Sequence, residues 1–498
     1  MPVLLGLRAG PGWHRSFSMG LILLGVLLAG GPSSIFGQNP TSNSVGNPDR
    51  LPVTTSSSEA AKLFEEGLHL RYDYHLEQAL AKWREAAIKD PNFAQAWTYI
   101  VWIGLSPAEA KEATERAELA SARVTPGEKL LVRWMVSTND GHYLDAIAAM
   151  NDLMAMYPRD EQLNFEAGLW LQSQGDFEGA IRFTKRALEI DPKFAGALNT
   201  LAYDLAYMHE YDEAIPYLKR YVEAEPTDPN PLDSLAEILQ KAGRLEESLA
   251  EYREALKLDP KFYSSQKAIG DDYALLGDQE RARQEYAKAL SLATTPQDRL
   301  DCQIQSAITY ARENNAKRAR AELAIVLEEA SKLQLNDYQS SIHRYLALLA
   351  ESPRDASQQL DQAEAILEKA GQVSGARRNA LLANTLRTRA RLASEDGKLG
   401  VARAAVSHLQ RMLQTNRSNA VERAYHGANG ALLAAESKTG AAIEELSEDS
   451  EYPFSDAKLE NLLASSGNER EAAKITARLK ADYGTTLEDW LVVRGLRR

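Results

Sequence analysis

Residues 161–192 read EQLNFEAGLWLQSQGDFEGAIRFTKRALEIDP, and this run decides the fold. Leu163, Ala167 and Leu171 lie on one face of a predicted helix over 161–174, the 3.6-residue period of a half-buried helix. Gly175-Asp176 breaks it as a turn, and Ala180, Ile181, Ala187 and Leu188 give a second apolar face over 177–190. Asp191-Pro192 ends that helix, because proline has no N–H to continue the backbone ladder. Outward from this stretch the pattern recurs every 34 residues. Pro158, Pro192, Pro226 and Pro260 keep one beat, and Ala146, Ala180, Ala214, Ser248 and Ala282 keep another. A fixed period of this length is the mark of helix-turn-helix units stacked into a solenoid.

Small residues explain how the two helices of a unit approach. Gly168 and Ala180 stand twelve apart, as do Ala202 and Ala214, and Gly270 and Ala282. Antiparallel helices come close only where side chains are small. A further small residue follows seven later at Ala187, Ala255 and Ala289, and Tyr252 and Tyr286 fill the space between.

This pattern resembles the tetratricopeptide repeat family. Gly270, Tyr273, Ala282, Tyr286 and Ala289 in 261–294 match its order of small, aromatic, Ala, aromatic and Ala. Gly67, Ala79, Trp83, Ala86 and Pro91 in 58–91 are its earliest match. The regular part, roughly 58–370, also looks like the repeat modules carried C-terminally by bacterial serine/threonine kinases and winged-helix regulators. The resemblance implies an all-α, right-handed α-solenoid over 58–296. Divergent helical repeats over 297–498 form the C-terminal third, with a last helix near 486–495 covering the end of the stack.

The ends and the irregular parts are read from local chemistry. Residues 1–37 have the form of an export signal: Arg8, His14 and Arg15 precede the apolar run Leu21 to Ala29, and Gly30, Gly31 and Pro32 break it. That run is shorter than the roughly 20 residues a membrane helix needs. Cleavage near Gly37 is expected, with an uncleaved anchor over Phe17 to Phe36 as the alternative. No cysteine follows the run, which excludes a lipoprotein anchor. Residues 38–57, rich in Asn, Pro, Ser and Thr, read as a flexible linker. Between 92 and 141 the repeat pattern lapses. There Ser106-Pro107-Ala108-Glu109 and Thr125-Pro126-Gly127-Glu128 read as capping boxes that open helices over 107–123 and 126–139. Trp97, Trp102, Trp134 and Trp170 crowd this part and are expected to pack around an irregular unit, with an aromatic binding groove as the alternative.

The formal net charge is −13, which argues against sequence-independent nucleic-acid binding. The single cysteine, Cys302, permits no internal disulfide and is expected to be buried. His69 and His75 are six apart and cannot share a helix face, and no metal, phosphate-loop, dinucleotide or nucleophile-elbow motif occurs. Adjacent acids such as Asp271-Asp272 and Glu444-Glu445 point to different helix faces and are expected to be solvated rather than paired for acid–base work. No catalytic residue, cofactor or metal is therefore expected.

Tetratricopeptide proteins bind extended or helical peptides in an inner groove lined by the first helix of each unit. By that resemblance the candidate peptide groove comprises Phe165, Leu169, Asn199, Tyr203, Tyr207, Asp233, Glu237, Lys267 and Asp271, with Gln172 and Gln240 beside them. The Lys, Arg and Asn set with which some members hold a C-terminal carboxylate is matched in type only by Asn199 and Lys267. The groove runs from aromatic to acidic, which suits a segment with apolar and basic residues. A basic patch, Arg377, Arg378, Arg387, Arg389 and Arg391, is expected to be solvated or to meet the acidic 442–451 segment or an anionic polymer. The expected role is a non-catalytic interaction scaffold or adaptor in the cell envelope, periplasmic or secreted, for a protein or peptide partner. The alternatives are an accessory subunit of an envelope polysaccharide or secretion machine, and a membrane-anchored regulator.

Overall fold

A computed structural model of the chain describes residues 48–493 apart from 73–74, 104–106, 141, 370–372, 374, 416–417, 451 and 482. The expected leader 1–37, residues 38–47 of the expected linker and the expected Ser106 cap lie outside the described residues. All regular elements among the described residues are helices, and no strand occurs there. None of these helices is long and apolar enough to cross a membrane.

The helices pair as hairpins, and the hairpins fall into two compact units, one through Glu225 and one from Pro226. The first unit contains α1 (Ser58–Tyr72) with α2 (Leu76–Lys89), α3 (Ala94–Ile103) with α4 (Pro107–Ser121), and α5 (Pro126–Asn139) with α6 (Tyr143–Met156). It ends with α7 (Glu161–Ser173) and α8 (Phe177–Ile190), then α9 (Ala195–Tyr207) and α10 (Tyr211–Ala224). The second unit opens with α11 (Pro229–Lys241) and α12 (Leu245–Leu258), α13 (Tyr263–Leu275) and α14 (Gln279–Leu292), and α15 (Pro296–Arg312) and α16 (Ala316–Lys332). It continues with α17 (Asn336–Leu348) and α18 (Pro353–Lys369), α19 (Gly375–Glu395) and α20 (Leu399–Thr415), and α21 (Asn419–Ala435) and α22 (Thr439–Glu448). The last elements are α23 (Pro453–Ser465), α24 (Glu469–Ala481) and the short α25 (Leu487–Val493). Within a unit the second helix of one hairpin commonly packs on the first helix of the next, as α8 does on α9 and α12 on α13. This is the nearest-neighbour logic of a helical repeat solenoid.

The small residues do what their spacing predicts. Ala180, Ala214 and Ala282 are fully buried, and Ser248 in the same register donates its hydroxyl to the Ala236 carbonyl at 2.8 Å. Gly270 faces the Tyr286 ring so closely that a Cβ would lie 2.6 Å from it. The turns inside the α7–α8, α11–α12 and α13–α14 hairpins use a left-handed residue, and Gly175, Gly243 and Gly277 supply it. His209 holds the same place in the α9–α10 turn with φ 61°. A non-glycine residue there costs about 1–2 kcal/mol. Thr125 and Glu128 form the expected capping box at the start of α5.

Residues 50–57 correct the expectation of a flexible linker as far as Ser57. They lie as a strap that runs from the starts of α7 and α5 to Asp90, which closes α2 just before α3. Leu51 N donates to Asp160 Oδ2 at 2.7 Å, and Thr54 donates through both its N–H and its hydroxyl to Glu128. Thr55 and Ser56 donate to Asp90, and Arg50 pairs with Glu161. The physical reason is capacity. A carboxylate offers about four acceptor sites, and capping consumes only part of them: Asp160 takes the Leu163 N–H with one oxygen and the strap with the other.

Candidate functional site

The nine groove candidates fall in both units. In the first unit α7 carries Phe165 and Leu169, and α9 carries Asn199, Tyr203 and Tyr207. Phe165 is 1% exposed and stacks at 4.8 Å on Phe194 and 5.5 Å on Tyr72. It is therefore core, and its place in the groove is corrected: a large aromatic near the start of α7 fills the gap to the next hairpin. Asn199 is likewise buried. Leu169, Tyr203 and Tyr207 stay partly exposed on two helices that touch each other. Tyr207 also packs on Phe177, with ring centres 5.1 Å apart. These three form an apolar–aromatic strip.

In the second unit the acidic candidates are paired internally. Ser265 donates to Asp233 at 2.6 Å, Lys241 pairs with Glu237 at 2.9 Å, and Lys267 pairs with Asp271 at 2.8 Å. The Tyr286 hydroxyl also donates to Asp271 at 2.7 Å. Burial pushes the Asp233 carboxyl up to about 7, against the Ser265 bond that pulls it down. Asp271-Asp272 is not the solvated pair expected, since both carboxyls are buried.

Two buried rungs escaped the sequence reading. Gln172 Nε2 donates to Asp204 Oδ1 at 2.6 Å, and Gln240 Nε2 donates to Asp272 Oδ1 at 2.8 Å. Each joins the first helices of neighbouring hairpins. Burial raises Asp204 to about 8, with Gln172 opposing, and Asp272 to about 7, with Gln240 and Ser248 opposing. A signal for these rungs does exist at twice the basic period. Gln172 and Gln240, Asp204 and Asp272, Asp160 and Asp228, and Phe194 and Phe262 are each 68 residues apart. The solenoid alternates two kinds of unit, and the rung joins one kind to the other.

The basic patch is largely consumed in ion pairs. Arg387 meets Asp449 of the acidic 442–451 segment at 2.7 Å and lies over the Tyr452 ring at 3.4 Å. Arg389 bonds to Asp361 and Glu364, and Arg391 pairs with Glu395 and covers Phe454. Arg377 lies 3.8 Å from Asp337, and Arg378 is partly exposed. The side chains of Arg387, Arg389 and Arg391 are only 12–14% exposed, so a solvated helix face is corrected for them. A guanidinium can leave water where a carboxylate pairs with it and an aromatic ring covers its face.

The C-terminal segment also departs from expectation. Residues 483–493 do not merely cover the last hairpin: α25 packs against α23 and also against α15, in the middle of its unit. Leu487 is fully buried among Leu300, Ile304, Ile308, Ile342 and Leu346. Glu488 pairs with Arg344 on α17. The Trp490 indole N–H donates to the Ala311 carbonyl at 3.3 Å, and Arg312 donates to the Thr485 carbonyl at 3.2 Å. Gly243, at φ 76°, leaves room for the Tyr483 ring, with which a Cβ at this position would collide.

The buried cysteine agrees with expectation, and the tryptophan packing does so in part. Cys302 is buried, its thiol 3.3 Å from the Tyr263 hydroxyl and pushed by burial up to about 11. Trp102, Trp134 and Trp170 pack edge to face at 6.1–6.3 Å, whereas Trp97 packs apart from them on the cluster of Ala94, Ala117 and Val132. No cluster of three metal-ligating side chains occurs among the described residues.

With this geometry in hand, the tetratricopeptide repeat family model matches residues 229–262, the hairpin of α11 and α12. The chain carries that repeat there. No curated protein matches it. Among solved structures it is similar to a thermophilic TPR protein of Thermus thermophilus, at 26% identity over 36% of this chain and 98% of that one, with a TM-score of 0.30. MamA of Desulfovibrio magneticus is 19% identical over 33% of this chain and 94% of its own, with a TM-score of 0.31. YrrB, described as a TPR protein with an unusual peptide-binding site, is 19% identical over 36% and 92%, with a TM-score of 0.29.

Proposed function

We propose that this protein is a non-catalytic scaffold that holds a protein or peptide partner in the cell envelope. One observation carries the reading. The first helices of neighbouring repeats, tied by the Gln172–Asp204 rung, present the strip of Leu169, Tyr203 and Tyr207. Tyrosines on a rigid support suit recognition, because they offer large amphipathic contact area at little entropic cost. The net charge of −13 favours a partner segment with basic residues beside its apolar ones. Export rests on the leader-like residues 1–37, and the mature chain then begins near residue 38.

Capture from envelope extract with the intact protein, compared with Tyr203→Ala/Tyr207→Ala, tests the strip. We expect recovery of the bound protein to fall at least tenfold, about 1.4 kcal/mol in affinity. Equal recovery overturns the strip as the binding surface. N-terminal sequencing of the mature protein tests export separately.

A further inference from the structure

We propose that the cradle on α15 and α17 is a second binding site, for a short amphipathic helix. Its own C-terminal helix α25 occupies that site in cis, and a partner helix with the same side-chain order displaces it. This deepens the scaffold reading and rests on it, but it concerns a surface in the second unit, separate from the Leu169–Tyr203–Tyr207 strip.

The seat of α25 has the form of a peptide complex rather than of a repeat. This helix has seven residues, shorter than an isolated helix can sustain in water. Its segment is anchored by Tyr483 in the space beside Gly243, Leu487 in the apolar cluster, Glu488 on Arg344, and Trp490 on the Ala311 carbonyl. Leu491 packs on the same cluster and Val492 on the core of α23 and α24. Point anchors on an amphipathic helix lying in a groove are a recurring mode of peptide recognition. Thr486 and Asp489 cap the helix from within the segment, so its conformation is encoded in the ligand and not in the cradle.

The receiving surface is built from repeat helices: Ile304 and Ile308 lie on α15 and Ile342 and Leu346 on α17, in hairpins that pack on each other through α16 and α17. Arg344 is held in its charged form by Glu488, against the burial that opposes the charge. The chemistry of the occupant follows from the four anchors: an aromatic residue, then a cap, leucine, an acid, and a tryptophan three residues after the leucine. The cis occupant is also an imperfect fit, because no group among the described residues donates to the buried Glu488 Oε2. Such an oxygen weakens the seat and leaves room for a better-satisfied competitor. An internal ligand has the advantage of high local concentration, so the site is masked until the competitor is abundant or tight.

The test uses the full chain and a fluorescent peptide of residues 483–498 as ligand. Leu487→Asp/Glu488→Arg releases α25 by removing its apolar and ionic anchors. We expect the released protein to bind the peptide at least tenfold more tightly than the unaltered chain. Adding Arg344→Glu to the released protein is expected to abolish that gain, and a peptide carrying Glu488→Arg is expected to restore it. Circular dichroism checks that helix content is kept. Should the released protein lose helix, Trp490→Ala replaces it, with the same direction of change expected. No gain in either variant, or a gain indifferent to Arg344→Glu, overturns the inference. The scaffold reading would survive that result, because its readout is Tyr203 and Tyr207.

Discussion

The two units dispose of a chain end in opposite ways. In the first, the strap 50–57 runs over the starts of α7 and α5 to Asp90 between α2 and α3, and carboxylates at these places accept its N–H and hydroxyl groups. In the second, residues 483–493 reach the ends of α11 and α15 and the body of α17. There a buried leucine, one ion pair and a donor to a helix carbonyl do the holding. The difference follows helix polarity. Helix starts leave N–H groups that acidic caps satisfy, and those caps have acceptor sites to spare. Helix ends leave carbonyls, which call for a donor such as the Trp490 indole N–H on Ala311. A strap that is not a helix must also place its own N–H groups, and the acids answer that need. A helix satisfies its backbone internally and can use its side chains for burial.

Three substitutions break or sharpen this contrast. Arg344→Met should have the largest effect, since it strands Glu488 as a buried charge. Opening of α25 and its seat should become easier by about 3–5 kcal/mol, read as lost hydrogen-exchange protection in α15 and α17. A loss below about 1 kcal/mol would mean that Leu487 alone seats the helix. Glu128→Ala should come next. It removes the box at α5 and the acceptor for Thr54 and Gln95. Protection in α5 and in residues 51–56 should drop together by roughly 2–3 kcal/mol. A drop confined to α5 would show that the strap does not depend on this carboxylate.

Asp204→Asn should have the smallest effect and the opposite sign. The carboxyl is raised in the folded chain to about 8, above its unfolded value of about 3.9. The folded state therefore holds its proton more tightly. That stability is present in full below about pH 4 and is lost as pH rises through about 8. The amide carries no such charge. Asp204→Asn should stabilise the first unit by about 1–3 kcal/mol at pH 8 and do little at pH 4. Parallel melting curves at the two pH values check this, and a gain equal at both would assign the effect to something other than the proton.

Much of the repeat array was legible from local pattern. The stretch 161–192 reads as helices over 161–174 and 177–190, and the structure has them at Glu161–Ser173 and Phe177–Ile190. Those limits are set within a few residues by a cap, a glycine or a proline. The candidate groove was legible only in part. Period alone places Phe165 and Leu169 on first helices alike, but only the approach of Tyr72 and Phe194 buries Phe165. The Gln–Asp rungs lay in a doubled period that a 34-residue frame averages away.

Helical hairpins, their turns and their order along the chain are properties of neighbouring residues, so amino-acid order was enough to specify them. The docking of both chain ends, the pairing of Arg387 with Asp449 and the burial of Asp204 belong to the assembled molecule. Each joins groups brought together by packing, as Thr54 and Glu128 are across 74 residues and Arg344 and Glu488 across 144. No local periodicity encodes such a meeting, because its energy exists only once the intervening helices have stacked and water has left.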